Sequence, residues 1–214
     1  MLFQVPGGAV SPELLEPGAE KDLHQDMTRV LARVHQLRQS DDYIQALLAV
    51  GHTVHAVCPD KKAGDQIATA IHDFEGQQTY SEKRGHNFTL NATFDTVKAE
   101  DYDALVIPGG RAPEYLRMDD KVLAIVRHFA LADKPIAAIC HAPWLLIEAD
   151  IVEGRTVTAW PSVRTDLENA GGKVVDQEVA IDGNLITSRN PDDIPAFSKA
   201  LIAMLQDAKV AEDA

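Results

Sequence analysis

Residues 135–144, PIAAICHAPW, constrain the fold more than any other stretch of this sequence. The run 135–139 is wholly apolar and rich in β-branched and small residues, the pattern of a strand buried on both faces in a parallel sheet. It stops at Cys140, and 142–148 then reads as a helix that accepts Pro143 in its first turn. A strand breaking straight into a helix leaves one residue at the tip of a tight turn, its side chain above the sheet, as in a nucleophile elbow. Here that residue is a cysteine with His141 beside it. Backbone N–H groups at a helix start favour a thiolate, so the thiol is expected to titrate below its usual pKa of about 8.5. The competing account is a buried structural cysteine, one of the most interior residue types.

The rest of the chain supplies a sheet for this strand. Residues 104–107 form a second buried apolar run, ending in Pro108-Gly109-Gly110, and 53–57 a third. Between these runs lie segments with helical spacing: 41–50 after Ser40, 119–132, 162–169 and 195–205. Asp182-Gly183-Asn184 between 179–181 and 185–187 is a hairpin signal, and the alternation at 88–94 predicts another strand. Residues 60–85 read as a long polar excursion with short strands or turns. Strands alternating with helices predict an α/β fold with a mainly parallel central sheet and helices on both faces. Leu23, Met27, Val30, Leu31, Val34 and Leu37 recur at helical spacing, so 1–40 is expected to be a largely helical segment, 41–207 the α/β domain and 208–214 a polar tail.

Charge and cysteine count exclude several classes. A formal net charge of -13 argues against nucleic acid or an anionic membrane as partner. No apolar run is long enough to span a bilayer, and the N-terminus lacks signal-peptide order, so a cytoplasmic setting is expected. Two cysteines, Cys58 and Cys140, make neither a disulfide framework nor a zinc site. His72, Glu75 and His86 match no standard ligand spacing, so no metal is expected. Cys58 reads as a core thiol, and Trp144 and Trp160 as packing or pocket walls.

Sites in open α/β sheets form beyond the carboxyl ends of the strands. Two such ends carry Cys140-His141 and Gly109-Gly110, and glycines there let amide N–H groups turn toward a developing oxyanion.

The runs DALVIPGGRAPE at 103–114 and KPIAAICH at 134–141 closely resemble the PfpI family, the intracellular-protease and deglycase branch of the glutamine-amidotransferase-like superfamily. The resemblance spans roughly 46–205 and continues through Gly154-Arg155, Thr158-Ala159-Trp160-Pro161, Asn169-Ala170-Gly171 and Asp182-Gly183-Asn184. It implies a flavodoxin-like sandwich in which Cys140 is the nucleophile and His141 its neighbour. The Gly110 and His141 amides, with Gly109, Ala142 and Trp144 around them, would line the oxyanion and binding pocket. Glu114 would reach a neighbouring subunit's histidine in a homo-oligomer. Ala142 departs from the family, where glycine is usual.

A larger departure lies upstream. The family opens on a central strand followed by a glutamate that hydrogen-bonds to the cysteine, and alignment on 45–52 puts that position at Gln36. An amide cannot exchange a proton as a carboxylate does. No buried strand is expected before Gln36; residues 1–5 are the candidate substitute, with Glu13 or Glu16 as a distant stand-in acid. Asp41 and Asp42 are nearer and read as a helix start.

Two functions follow as expectations. One is a cysteine-dependent stress enzyme needing no cofactor, acting on small reactive carbonyls or on peptides, weakened by the missing acid. The other is a non-catalytic, redox-sensing or degenerate oligomer in which Cys140 is oxidised.

Overall fold

Apolar runs at 104–107 and 136–139 can be buried on both faces only if strands flank them on each side and helices cover them above and below. The computed structural model, which describes residues 2–5, 28–33, 37–73 and 81–212, shows that arrangement. Seven strands form the main sheet: β1 (Leu2–Val5), β2 (Thr28–Arg33), β3 (Thr53–Val57), β4 (Ala104–Ile107), β5 (Ile136–Ile139), β6 (Val179–Asp182) and β7 (Leu185–Ser188). Their spatial order is β1-β3-β2-β4-β5-β7-β6. The pairs β3–β2, β2–β4, β4–β5 and β5–β7 are parallel. β1 runs antiparallel to β2 and β3, and the hairpin partner β6 antiparallel to β7.

The helices are α1 (Leu37–Ala49), α2 (Ala112–Leu116), α3 (Asp120–Leu131), α4 (Pro143–Glu148), α5 (Arg164–Asn169) and α6 (Ile194–Glu212). Alternation along β4 and β5 splits the core into two layers, because successive side chains leave a strand on opposite faces. Leu105, Ile107, Ile136 and Ala138 pack with Val122, Val126 and Phe129 of α3 and Leu145 and Leu146 of α4. Ala104, Val106, Ala137 and Ile139 pack with Tyr43 and Leu47 of α1 and Phe197, Leu201 and Leu205 of α6. Tyr43 and Phe197 meet edge to face, with centroids 6.1 Å apart, and lock α1 against α6. Asp119 starts α3 by accepting hydrogen bonds from the backbone N–H groups of Lys121 and Val122.

The upstream segment differs from its sequence reading. Residues 28–33 form a strand, not part of a helix, and β2 takes the slot between β3 and β4. Helical spacing of the apolar residues misled here, because a strand in a parallel sheet is defined by neighbours that local periodicity does not contain. Residues 2–5 are a strand as well, but β1 is antiparallel and does not occupy the slot beside β4. Gln36, Glu13 and Glu16 lie outside the described residues. The expected strand at 88–94 shrinks to Phe88–Thr89, which pairs with Gln66–Ile67 in the excursion, and Phe94–Thr96 is a 3-10 turn.

Candidate active site

Cys140 sits where β5 hands over to α4, with φ at +67°. An L-residue other than glycine pays roughly 1–2 kcal/mol for that conformation. The surroundings hold it there through both backbone groups. The Cys140 N–H donates to the Ser188 carbonyl at the end of β7 (2.9 Å), and the Cys140 carbonyl accepts from the Trp160 N–H (3.0 Å). One residue on, the Ala142 N–H closes the turn onto the Ile139 carbonyl at 3.1 Å.

Gly109 and Gly110 end the adjacent strand β4. A Cβ on Gly109 would lie 2.4 Å from the Cys140 Cβ and 2.7 Å from the Ile139 carbonyl oxygen, so only glycine fits. Gly110 takes φ +79°, which a side chain would resist. The backbone N–H groups of Gly110 and His141 both hydrogen-bond to the Cys140 sulfur.

Burial nevertheless dominates the thiol. Cys140 is only 6% exposed, and loss of solvent pushes its pKa up to about 11 against the pull of those two N–H groups. The expectations of an exposed side chain and a lowered pKa are therefore corrected. The α4 start is real, but desolvation of a buried thiolate outweighs the two N–H donors beside the sulfur. His141, itself buried, has its Nδ1 3.1 Å from the sulfur, within hydrogen-bond reach.

Two indoles pack on the His141 ring. Trp160 lies near-parallel to it, with centroids 6.0 Å apart and 27° between planes, and Trp144 lies at 5.2 Å and 56°. Ala142 is fully buried at the start of α4. Glu114 is exposed in the first turn of α2. Thus Cys140, His141, Gly109, Gly110, Ala142 and Trp144 are gathered at one place, and Glu114 faces solvent. Sequence reasoning missed Ser188 as the carbonyl that anchors Cys140 and Asp166 as the partner of the Trp144 indole. The first acts through its backbone and carries no residue-type signal; the second is an ordinary helix-surface carboxylate in sequence. Trp160 was legible only as a pocket wall.

Among the described residues no cluster of His, Cys, Asp and Glu is placed to hold a metal. His86 is exposed, and the side chain of His72 and all of Glu75 lie outside the description. Cys58 is buried in the same core layer as Cys140. No described helix is long and apolar enough to cross a membrane.

A family model described as the DJ-1/PfpI family matches residues 41–204. Protein DJ-1 homolog D of Arabidopsis thaliana is 53% identical over 165 residues, 73% of this chain and 42% of that protein, so the chain spans less than half of that relative. General stress protein 18 of Bacillus subtilis is 43% identical over 147 residues (68% of this chain, 85% of the relative). Protein/nucleic acid deglycase 2 of Escherichia coli is 40% identical over 146 residues (68% and 84%). Among solved structures, Drosophila melanogaster DJ-1beta superposes with a TM-score of 0.65 at 23% identity, covering 83% of this chain and 93% of that one, which speaks to the fold.

Proposed function

The chain belongs to the DJ-1/PfpI family, and on that premise we propose that it is a cysteine-dependent enzyme that attacks reactive carbonyls, either free or attached to other molecules as early adducts. The observation that carries the proposal is the Cys140 turn. A cysteine held at positive φ, with two N–H donors on its sulfur and a histidine nitrogen 3.1 Å away, is costly to build for packing alone. Relatives at about 40% identity named deglycases support the substrate class.

The raised thiol pKa sets the order of events. The resting sulfur is protonated, so the proton leaves for His141 Nδ1 as the sulfur bonds to the carbonyl carbon. The C=O π pair moves onto oxygen, and the N–H groups of Gly110 and His141 beside the sulfur are the donors this reading assigns to the developing oxyanion. Return of the proton from His141 to that oxygen gives a hemithioacetal. For a dicarbonyl such as methylglyoxal, proton transfer between the two carbons and hydrolysis by one water releases a hydroxy acid and restores the thiol. The sum is addition of water, with no oxidant required.

The test is methylglyoxal consumption by the wild type against Cys140→Ser. Loss of turnover to background supports the proposal, and an undiminished rate in Cys140→Ser overturns it.

A further inference from the structure

Geometry around His141 points to a residue outside the cysteine–histidine pair. The Trp144 indole, whose ring packs on the imidazole, donates its Nε1–H to Asp166 Oδ2 at 2.8 Å. Trp144 is on α4 and Asp166 on α5, so this bond ties the helix that follows the cysteine to its neighbour. Trp144 is also attached at its backbone, its N–H donating to the His141 carbonyl at 3.1 Å. Trp144 is thereby held at its backbone and at its indole N–H, and its ring packs tilted, at 56°, on the imidazole that must keep Nδ1 within reach of the sulfur.

We propose that Asp166 is a positioning residue: it fixes the Trp144 indole, and through it the His141 orientation that serves Cys140. Trp160 supports the ring from a segment anchored separately, by its own N–H on the Cys140 carbonyl. Without Asp166, the Trp144 indole is free to rotate about χ2 and loses its defined contact with the imidazole. An imidazole that wanders by even an ångström stops accepting the thiol proton efficiently. The inference rests on the reading of Cys140 and His141 as a working pair.

The test uses iodoacetamide labelling of Cys140 in the intact chain, read by mass spectrometry at fixed pH, beside methylglyoxal kinetics. Asp166→Ala and Trp144→Phe, which removes the Nε1–H and keeps an aromatic ring, should each slow Cys140 labelling by about three- to tenfold. The double variant should be no slower than either single one, since both break the same link. Asp166→Asn, whose amide oxygen still accepts the indole N–H, should stay within about twofold of wild type. In the kinetics, kcat should fall with KM unchanged. An Asp166→Ala protein that labels at the wild-type rate overturns the proposal, as does an Asp166→Asn protein as slow as Asp166→Ala, or additive losses in the double variant. Should Asp166→Ala melt early, Trp144→Phe and Asp166→Asn decide. A wild type that shows this labelling pattern without carbonyl turnover sinks the enzyme reading and leaves the positioning role standing.

Discussion

Gly109 leaves Cys140 no room to spare: a Cβ added to the glycine would sit 2.4 Å from the cysteine Cβ and 3.2 Å from its sulfur. The end of one parallel strand is thus moulded around the nucleophile on the next. Gly109→Ala should destabilise the domain by about 1–3 kcal/mol, the usual cost of overpacking a filled site. It should also abolish carbonyl turnover, because the contact it breaks is with the reacting residue. Thermal melting and methylglyoxal consumption check this together; an Ala variant with wild-type Tm and rate contradicts the geometry.

Burial of the Cys140 thiol links stability to pH. The folded pKa of about 11 lies above the unfolded value of about 8.5–9, so the folded state holds the proton more tightly. The resulting stability is fully present below about pH 8.5 and is lost as pH rises toward 11, on the order of 3 kcal/mol. Cys140→Ala should lack this part of the alkaline decline, as read by denaturant unfolding from pH 7 to 11. Iodoacetamide labelling of wild-type Cys140 should keep accelerating through the same window. A labelling plateau near pH 7 would mean that the thiol is not held neutral.

The family alignment puts the carboxylate that serves the thiol at Gln36, and β2 fills the slot next to β4. A single substitution at the aligned position tests that assignment. Gln36→Glu should raise kcat/KM for methylglyoxal by at least about tenfold, within the usual worth of acid–base help. No gain would show that another acid already serves Cys140, or that Gln36 is not the matching position.

Glu114 is exposed in the first turn of α2. If the family's assembly is kept, light scattering gives a mass above the monomer, and Glu114→Gln removes peptide hydrolysis with carbonyl turnover intact. A monomer at high concentration eliminates the inter-subunit pairing and peptide hydrolysis along with it.

Particular elements show where sequence reading reached and where it stopped. The Cys140 turn was legible because a buried strand, a cysteine and a first-turn proline follow one another within nine residues, and such local order survives in any fold. Gly109 and Gly110 were legible for the same reason. The strand at 28–33 was not, since its apolar residues also satisfy helical spacing and its true partners, β3 and β4, lie about twenty and seventy residues further along the chain.

Sequence by itself determined the alternation of strands and helices, the family motifs and the position of the turn that presents Cys140, all of which depend on short-range order. Tertiary structure alone decided the character of that cysteine. The helix start argued for a thiolate, yet the layers packed around Cys140 strip away solvent and reverse the balance. It also decided what braces Cys140 and His141, because the Trp160 ring on the imidazole, the Asp166 carboxylate on the Trp144 indole and the Ser188 carbonyl on the Cys140 N–H come from three later segments of the chain. Desolvation and ring contacts arise from how elements pack against one another, and no local pattern of residues records them.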